Sequence, residues 1–272
     1  HTAAGIDGLE PAEIALLSMK LYAHIATLLN LIEQGHGWPA GFAQARAAFL
    51  EKEEGVSDIP LQFRILLMLP CLYRRWAAAR LHSLRPWTEQ WALSEMYAGV
   101  GSQGAEDAWY AFATQKGHFD LLGTPYAGGT VDISKCFDQV NRQLLEQLAK
   151  DAGMDPGVLS AYIRFQDGLQ IHNSIAGGIG RAFCRRTGIP QGCPLSMLFI
   201  TLMLRPWLIM QAREGCFAYT LADDMMIFSI GKFMTTKFSK ALKETHLYLQ
   251  RMGAVVSPTN KFNLLASRKS IT

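Results

Sequence analysis

Two segments set carboxylates where apolar strands are expected: VDISKCFDQV, carrying Asp132, and AYTLADDMMIFS, carrying Asp223 and Asp224. A lone charge inside or at the end of a buried strand is costly unless it is paired or bound to a cation. The chain therefore has to fold so that these carboxylates are compensated, and a divalent metal site is the natural arrangement. The surrounding pattern sets the elements. Apolar residues at Ile14, Leu17, Leu21, Ile25, Leu28 and Leu29 recur at helical spacing and predict one helix over 11–33, ended by 35–39. Further helices are expected over 70–84, 103–115, 141–152, 157–167, 197–212 and 235–252, the last basic and amphipathic. Strands are expected over 130–134 and in two hairpins, 169–175 with 181–186 and 217–221 with 225–229, the second turning at Ala222-Asp223-Asp224; 254–265 is extended. A mainly helical first half followed by strands interleaved with helices gives an α+β class, with an antiparallel sheet backed by helices.

Composition narrows the function classes. With 272 residues, 49% of them hydrophobic, the chain can bury a sizeable core as one large domain or two closely packed subdomains. The net charge of +3 is modest, but its cations cluster. Arg64, Arg74, Arg75, Arg80 and Arg85 fall in an acid-free stretch over 59–88, and Lys232, Lys237, Lys240, Lys243 and Arg251 form a second group diluted by Glu244. Such surfaces suit a polyanion. The five cysteines show no CxxC pair, which argues against a zinc site or disulfide framework and for a reducing compartment. The apolar run 65–72 is too short to span a bilayer and 197–210 is interrupted by Arg205 and Pro206, so no membrane span is expected.

Four ordered segments, GTVDISKCFDQVN, TGIPQGCPLSMLF, YTLADDMMIF and GAVVSPTNKFNLL, resemble the palm motifs of reverse transcriptases. They look most like those of non-LTR (LINE-type) retrotransposons and their group II intron relatives. AGIDGLEPAE and PLQFRILLMLPCLYRRWAAARL resemble the same family's finger motifs. The resemblance implies a right-hand polymerase: fingers and an N-terminal helical region over 1–128, and a palm over 129–272, interleaved around 153–192. It implies RNA-templated DNA synthesis, in which a primer 3′-hydroxyl attacks a dNTP with the help of two Mg²⁺ ions, Mn²⁺ being a possible substitute. RNA template, DNA primer and dNTPs are the implied partners, with no membrane.

Residue roles follow from the same resemblance. Asp132, Asp223, Asp224 and the Ile133 carbonyl match the metal ligands, Asp224 being either a supporting carboxylate or a turn-stabilising side chain. Asp138 lies past the strand, where it could cap helix 141–152 as readily as take a chemical role. Phe137 matches the steric gate against a ribose 2′-hydroxyl, the alternative being an ordinary core phenylalanine. Gln191 and Gly192, in the loop that Gly188 opens, match the contact to the templating pair. Arg64 matches the triphosphate grip, with Lys52 as basic companion, and Lys261 the lysine at the leaving pyrophosphate. The chain departs from the family at Arg64-Ile65-Leu66-Leu67, usually Arg-Pro-Ile-Ser, at Leu221, usually Tyr or Phe, and at Ser196-Met197, usually Ser-Pro. Eleven residues follow Lys261, so the thumb is expected to be missing. The chain is read as a piece of a longer polyprotein whose other domains include the thumb and, as a candidate, an endonuclease. An intracellular ribonucleoprotein, nuclear or cytoplasmic, is the expected setting. The competing readings are a catalytically inactive retroelement relic and a maturase-like RNA-binding module.

Overall fold

The computed structural model describes residues 4–51, 63–101, 103–175, 177–257 and 263–267. In chain order its elements are α1 (Pro11–Ala15), α2 (Met19–Glu33), β1 (Gln44–Glu51), β2 (Phe63–Met68), α3 (Cys71–Ser83), α4 (Arg85–Trp91), α5 (Ala105–Leu121), β3 (Tyr126–Asp132), α6 (Cys136–Gln139), α7 (Arg142–Asp151), α8 (Pro156–Gly168), β4 (Gln170–Ile175), β5 (Gly178–Cys184), α9 (Ser196–Arg213), β6 (Phe217–Leu221), β7 (Asp224–Ile230), α10 (Met234–Arg251) and β8 (Asn263–Ala266). They build two compact units, His1–Leu84 with Ala149–Ser196, and Arg85–Leu148 with Met197–Thr272. The chain is thus divided at 84/85, 148/149 and 196/197, where the sequence reading divides it at 128/129 with interleaving around 153–192.

In the first unit a four-stranded sheet runs in the order β2-β1-β4-β5, with β1 antiparallel to β2 and parallel to β4. Neither β1 nor β2 is legible as a strand in the sequence. The residues of β1 that turn inward are Ala45 and Ala47, and alanine alternation reads as helix, its preferred state. The expected helix over 11–33 is also corrected. Ser18 adopts an extended conformation and accepts a hydrogen bond from the Leu21 amide (3.4 Å), so it caps α2 and separates it from α1. The core is aromatic: Tyr73 stacks on Phe165 with ring centroids 3.4 Å apart, and Trp38 meets Tyr73, Trp76 and Phe165 edge-on. Glu33, at the end of α2, accepts from Trp76 Nε1 (2.6 Å) and from Arg80 Nε and Nη2 (2.6 and 2.8 Å), which fastens α2 to α3.

The second unit carries an antiparallel sheet in the order β6-β7-β3-β8. Helix α10 packs on β7 and β3, and α5 packs on β6. Two consecutive glycines in β3 permit this closeness. A Cβ on Gly128 would lie 2.5 Å from Phe228 Cδ1, and one on Gly129 would lie 2.5 Å from the Asn263 carbonyl oxygen and 3.2 Å from Phe238 of α10. The very apolar α9 buries Leu198, Phe199, Leu202, Met203 and Trp207. Its Trp207 indole donates to Thr245 Oγ1 of α10 (2.9 Å), as does the Gln211 amide (3.2 Å). Among the described residues no helix is long and apolar enough to cross a membrane.

Candidate active site

Strand pairing brings the three aspartates to one end of the second unit's sheet. β3 ends at Asp132 and β7 begins at Asp224, and the two residues are direct partners in the antiparallel register, so their side chains share a face. Only Ala222 and Asp223 join β6 to β7, Leu221 pairing with Asp224 across the turn. The ladder continues past Asp132, since the Ile133 amide donates to the Asp223 carbonyl (3.4 Å). Asp132 and Asp223 are half-buried and Asp224 is exposed.

Backbone strain sits at this place. Among the described residues the non-glycine positions with positive φ are Lys135 (46°), just after β3, and Ala222 (56°), in the carboxylate turn. A left-handed residue with a Cβ costs on the order of 1–2 kcal/mol and persists where surrounding structure enforces it. Directly after Lys135 comes the buried Cys136 thiol, whose pKa is pushed up by burial first and then by the negative charges of Asp223, Asp132 and Asp138. The thiol thus senses carboxylates of both acidic segments.

A further segment grips the end of β3. The Ser257 amide donates to the Asp132 carbonyl (2.8 Å) and the Ser257 hydroxyl donates to Asp132 Oδ2. Val256 bridges Ile133, and the Ser134 amide donates to the Val255 carbonyl (2.9 Å). Gln139 completes the clamp by donating to the Ser134 carbonyl (2.6 Å) and accepting from the Val255 amide (2.7 Å). Ser257 and Gln139 fall within the family-like segments but nothing there singles them out; only the register sets Ser257 beside Asp132. Phe137 lies on the short α6 and is half-buried, outside the fully buried core. Asn141 caps α7, its Oδ1 accepting from the Gln143 and Leu144 amides (3.0 and 3.2 Å).

Hard carboxylate oxygens at one end of adjacent strands fit a divalent cation that takes its remaining ligands from water and a substrate's phosphates. Among the described residues no group of three or more His, Cys, Asp or Glu side chains is placed to hold a metal ion.

The other expected contacts belong to the first unit. Arg64 is exposed on β2. The Gln191 carbonyl accepts from the Leu67 amide of the same strand (3.2 Å), and Gly192 (φ 105°) is so close that a Cβ there would lie 3.1 Å from the Leu67 carbonyl and 3.5 Å from Leu66 Cδ1. Strand alternation puts Leu66 on the face that Arg64 shares, so Arg64, Gln191 and Gly192 are parts of one strand-and-loop assembly. Lys52 and Lys261 lie outside the described residues.

Residues 52–270 match the family model described as reverse transcriptase (RNA-dependent DNA polymerase). No curated protein sequence matches the chain. Among solved structures it resembles an apo telomerase from Candida tropicalis truncated from its C-terminal domain, with a TM-score of 0.59 and 12% identity over 94% of this chain and 57% of that one. It also resembles Candida tropicalis telomerase in complex with a fragment of telomeric RNA (TM-score 0.59, 13% identity, 92% and 45% covered) and the corresponding Candida albicans complex (0.58, 11%, 91% and 46%). The chain spans about half the length of these structures, and at such identities the likeness concerns the fold. A family match over most of the chain, with its two acidic motifs meeting on paired strands, places the protein: it belongs to the reverse transcriptase (RNA-dependent DNA polymerase) family.

Proposed function

We propose that the protein extends a DNA primer on an RNA template, as the polymerase part of a non-LTR retroelement. The observation that carries this reading is the convergence of Asp132, Asp223 and Asp224 on the paired ends of β3 and β7. Reverse transcriptase domains use divalent metal ions. Asp132, Asp223 and the Ile133 carbonyl are the groups that would hold them here, with Asp224, the exposed member, in support. A pair of Mg²⁺ ions held there, or Mn²⁺ in their place, would supply activation of the primer hydroxyl and neutralisation of charge at the α-phosphorus. The chain's own residues do the rest. The Phe137 ring closes the space that a ribose 2′-hydroxyl would need and so selects dNTPs. The Gln191-Gly192 backbone approaches the templating pair, and Arg64 offers a guanidinium fork to the triphosphate, with Lys52 as the basic companion that the family resemblance implies. Lys261 gives a proton to the leaving pyrophosphate.

Template RNA, primer and dNTPs are the partners, and the thumb and further domains of a longer polyprotein, a candidate endonuclease among them, complete the machine in an intracellular ribonucleoprotein. That the Candida telomerases of similar fold are described with telomeric RNA supports RNA as the template partner. The test is extension of a labelled DNA primer on an RNA template with dNTPs and Mg²⁺, using the longest reading frame that contains the chain. Template-directed products that vanish in Asp132→Asn support the reading. Retained RNA binding with no extension would replace it by the RNA-binding module.

A further inference from the structure

We propose that Ser257 is a positioning residue that orients the Asp132 carboxylate for metal binding, an inference that rests on the polymerase reading above. A metal-binding carboxylate must be aimed as well as present: rotation about its side chain moves each oxygen by more than a cation's ligand shell tolerates. Ser257 meets this need in two ways. Its hydroxyl donates to Asp132 Oδ2, which fixes the plane of the carboxylate and the direction of the other oxygen. Its amide donates to the carbonyl of the same residue (2.8 Å), so the donor is registered to the main chain that carries the acceptor.

The hydroxyl is itself held in place. Ser257 is only 8% exposed although Val255, two residues earlier, is 63% exposed, so the segment lies on the surface and turns this one side chain inward. The Val256–Ile133 bridge, the Ser134–Val255 hydrogen bond and the two bonds of the Gln139 amide tie that segment to both sides of the turn that follows Asp132. A donor fixed at this many points loses little freedom when it orients its partner. The arrangement is that of an outer-shell ligand support, whose loss typically costs about 10–100-fold in metal affinity or activity.

The experiment compares wild type, Ser257→Ala, Ser257→Thr, Ser257→Cys and Asp132→Asn of the same reading frame. Mn²⁺ binding is followed without turnover by the free-ion electron paramagnetic resonance signal, and primer extension is followed across Mg²⁺ concentrations. Ser257→Ala should weaken Mn²⁺ binding and raise the Mg²⁺ needed for half-maximal rate, each by about tenfold or more, with primer–template affinity unchanged. Ser257→Thr, which keeps the hydroxyl, should restore both. Should the alanine variant not fold, Ser257→Cys preserves the volume while surrendering a strong donor, and it should weaken Mn²⁺ binding in the same way. Wild-type Mn²⁺ binding by a folded alanine or cysteine variant overturns the proposal and leaves the polymerase reading standing. If Asp132→Asn itself binds Mn²⁺ like wild type, the metal site is elsewhere, and the proposal falls with the reading on which it rests.

Discussion

Thr245→Val should loosen the packing that backs the carboxylate-bearing sheet, by an amount that follows from the geometry. Thr245, Trp207 and Gln211 are each fully buried. Thr245 Oγ1 accepts from Trp207 Nε1 (2.9 Å) and Gln211 Nε2 (3.2 Å) while donating to the Ala241 carbonyl (2.8 Å). Valine has nearly the same shape, so the substitution removes the acceptor without opening a cavity. It orphans the indole donor, for which a buried unsatisfied group costs about 1–3 kcal/mol. Gln211 keeps its contact to the Ala241 carbonyl (3.3 Å) and loses less. The expected sum is about 2–4 kcal/mol, a large share of the roughly 5–15 kcal/mol that holds a typical domain. In urea, at about 2–3 kcal/mol per molar, the midpoint should fall by about 1 M. Thr245→Ser, which keeps the oxygen, should cost less than valine. A valine variant within about 0.5 kcal/mol of wild type, or a serine variant that is the worse of the two, would refute the assignment of the α9–α10 tie to this oxygen.

Ala222→Gly should leave stability unchanged or raise it by up to about 1 kcal/mol, because relief of the left-handed Cβ outweighs glycine's added unfolded-state entropy; the same change at Ala218, in a regular strand, should destabilise, and urea unfolding of the pair checks the contrast. Gly192→Ala forces a Cβ into a left-handed position 3.1 Å from the Leu67 carbonyl, which should raise the dNTP concentration for half-maximal extension while Mg²⁺ dependence stays put. Phe137→Ala should raise incorporation of NTPs relative to dNTPs, read by steady-state kinetics; an unchanged ratio in residual turnover would make Phe137 a packing residue. Millimolar Mg²⁺ should raise the thermal midpoint of wild type but much less that of Asp223→Asn, since a bound ion stabilises by mass action and relieves crowding among like charges; equal shifts would remove Asp223 from the metal site.

The carboxylate end of the fold was readable because its signals are local. Largely apolar runs flank an acidic turn over 217–229, and an apolar strand ends in Asp132, so a hairpin and a neighbouring strand are legible without any knowledge of register. The helix over 235–252 was legible from its amphipathic period. What stayed hidden depends on long-range pairing. The strand over 44–51 buries alanines, whose intrinsic preference is helical, and only its neighbours β2 and β4 make it a strand. Ser18 looked like one more helical residue because a serine cap differs from a mid-helix serine only in backbone conformation. The grouping of Gln191 with β2, and of Ser257 with Asp132, spans more than a hundred residues of chain each. No periodicity encodes such contacts.

The central claim, that the carboxylates joined by β3 and β7 are the chemical centre of an RNA-templated polymerase, is tested most directly by single-turnover extension of a DNA primer on an RNA template, comparing wild type with Asp132→Asn at saturating dNTP and Mg²⁺. Loss of a metal ligand worth several kcal/mol should slow the chemical step by at least about a hundredfold, while primer–template binding is retained. Extension by Asp132→Asn at the wild-type rate would contradict the account.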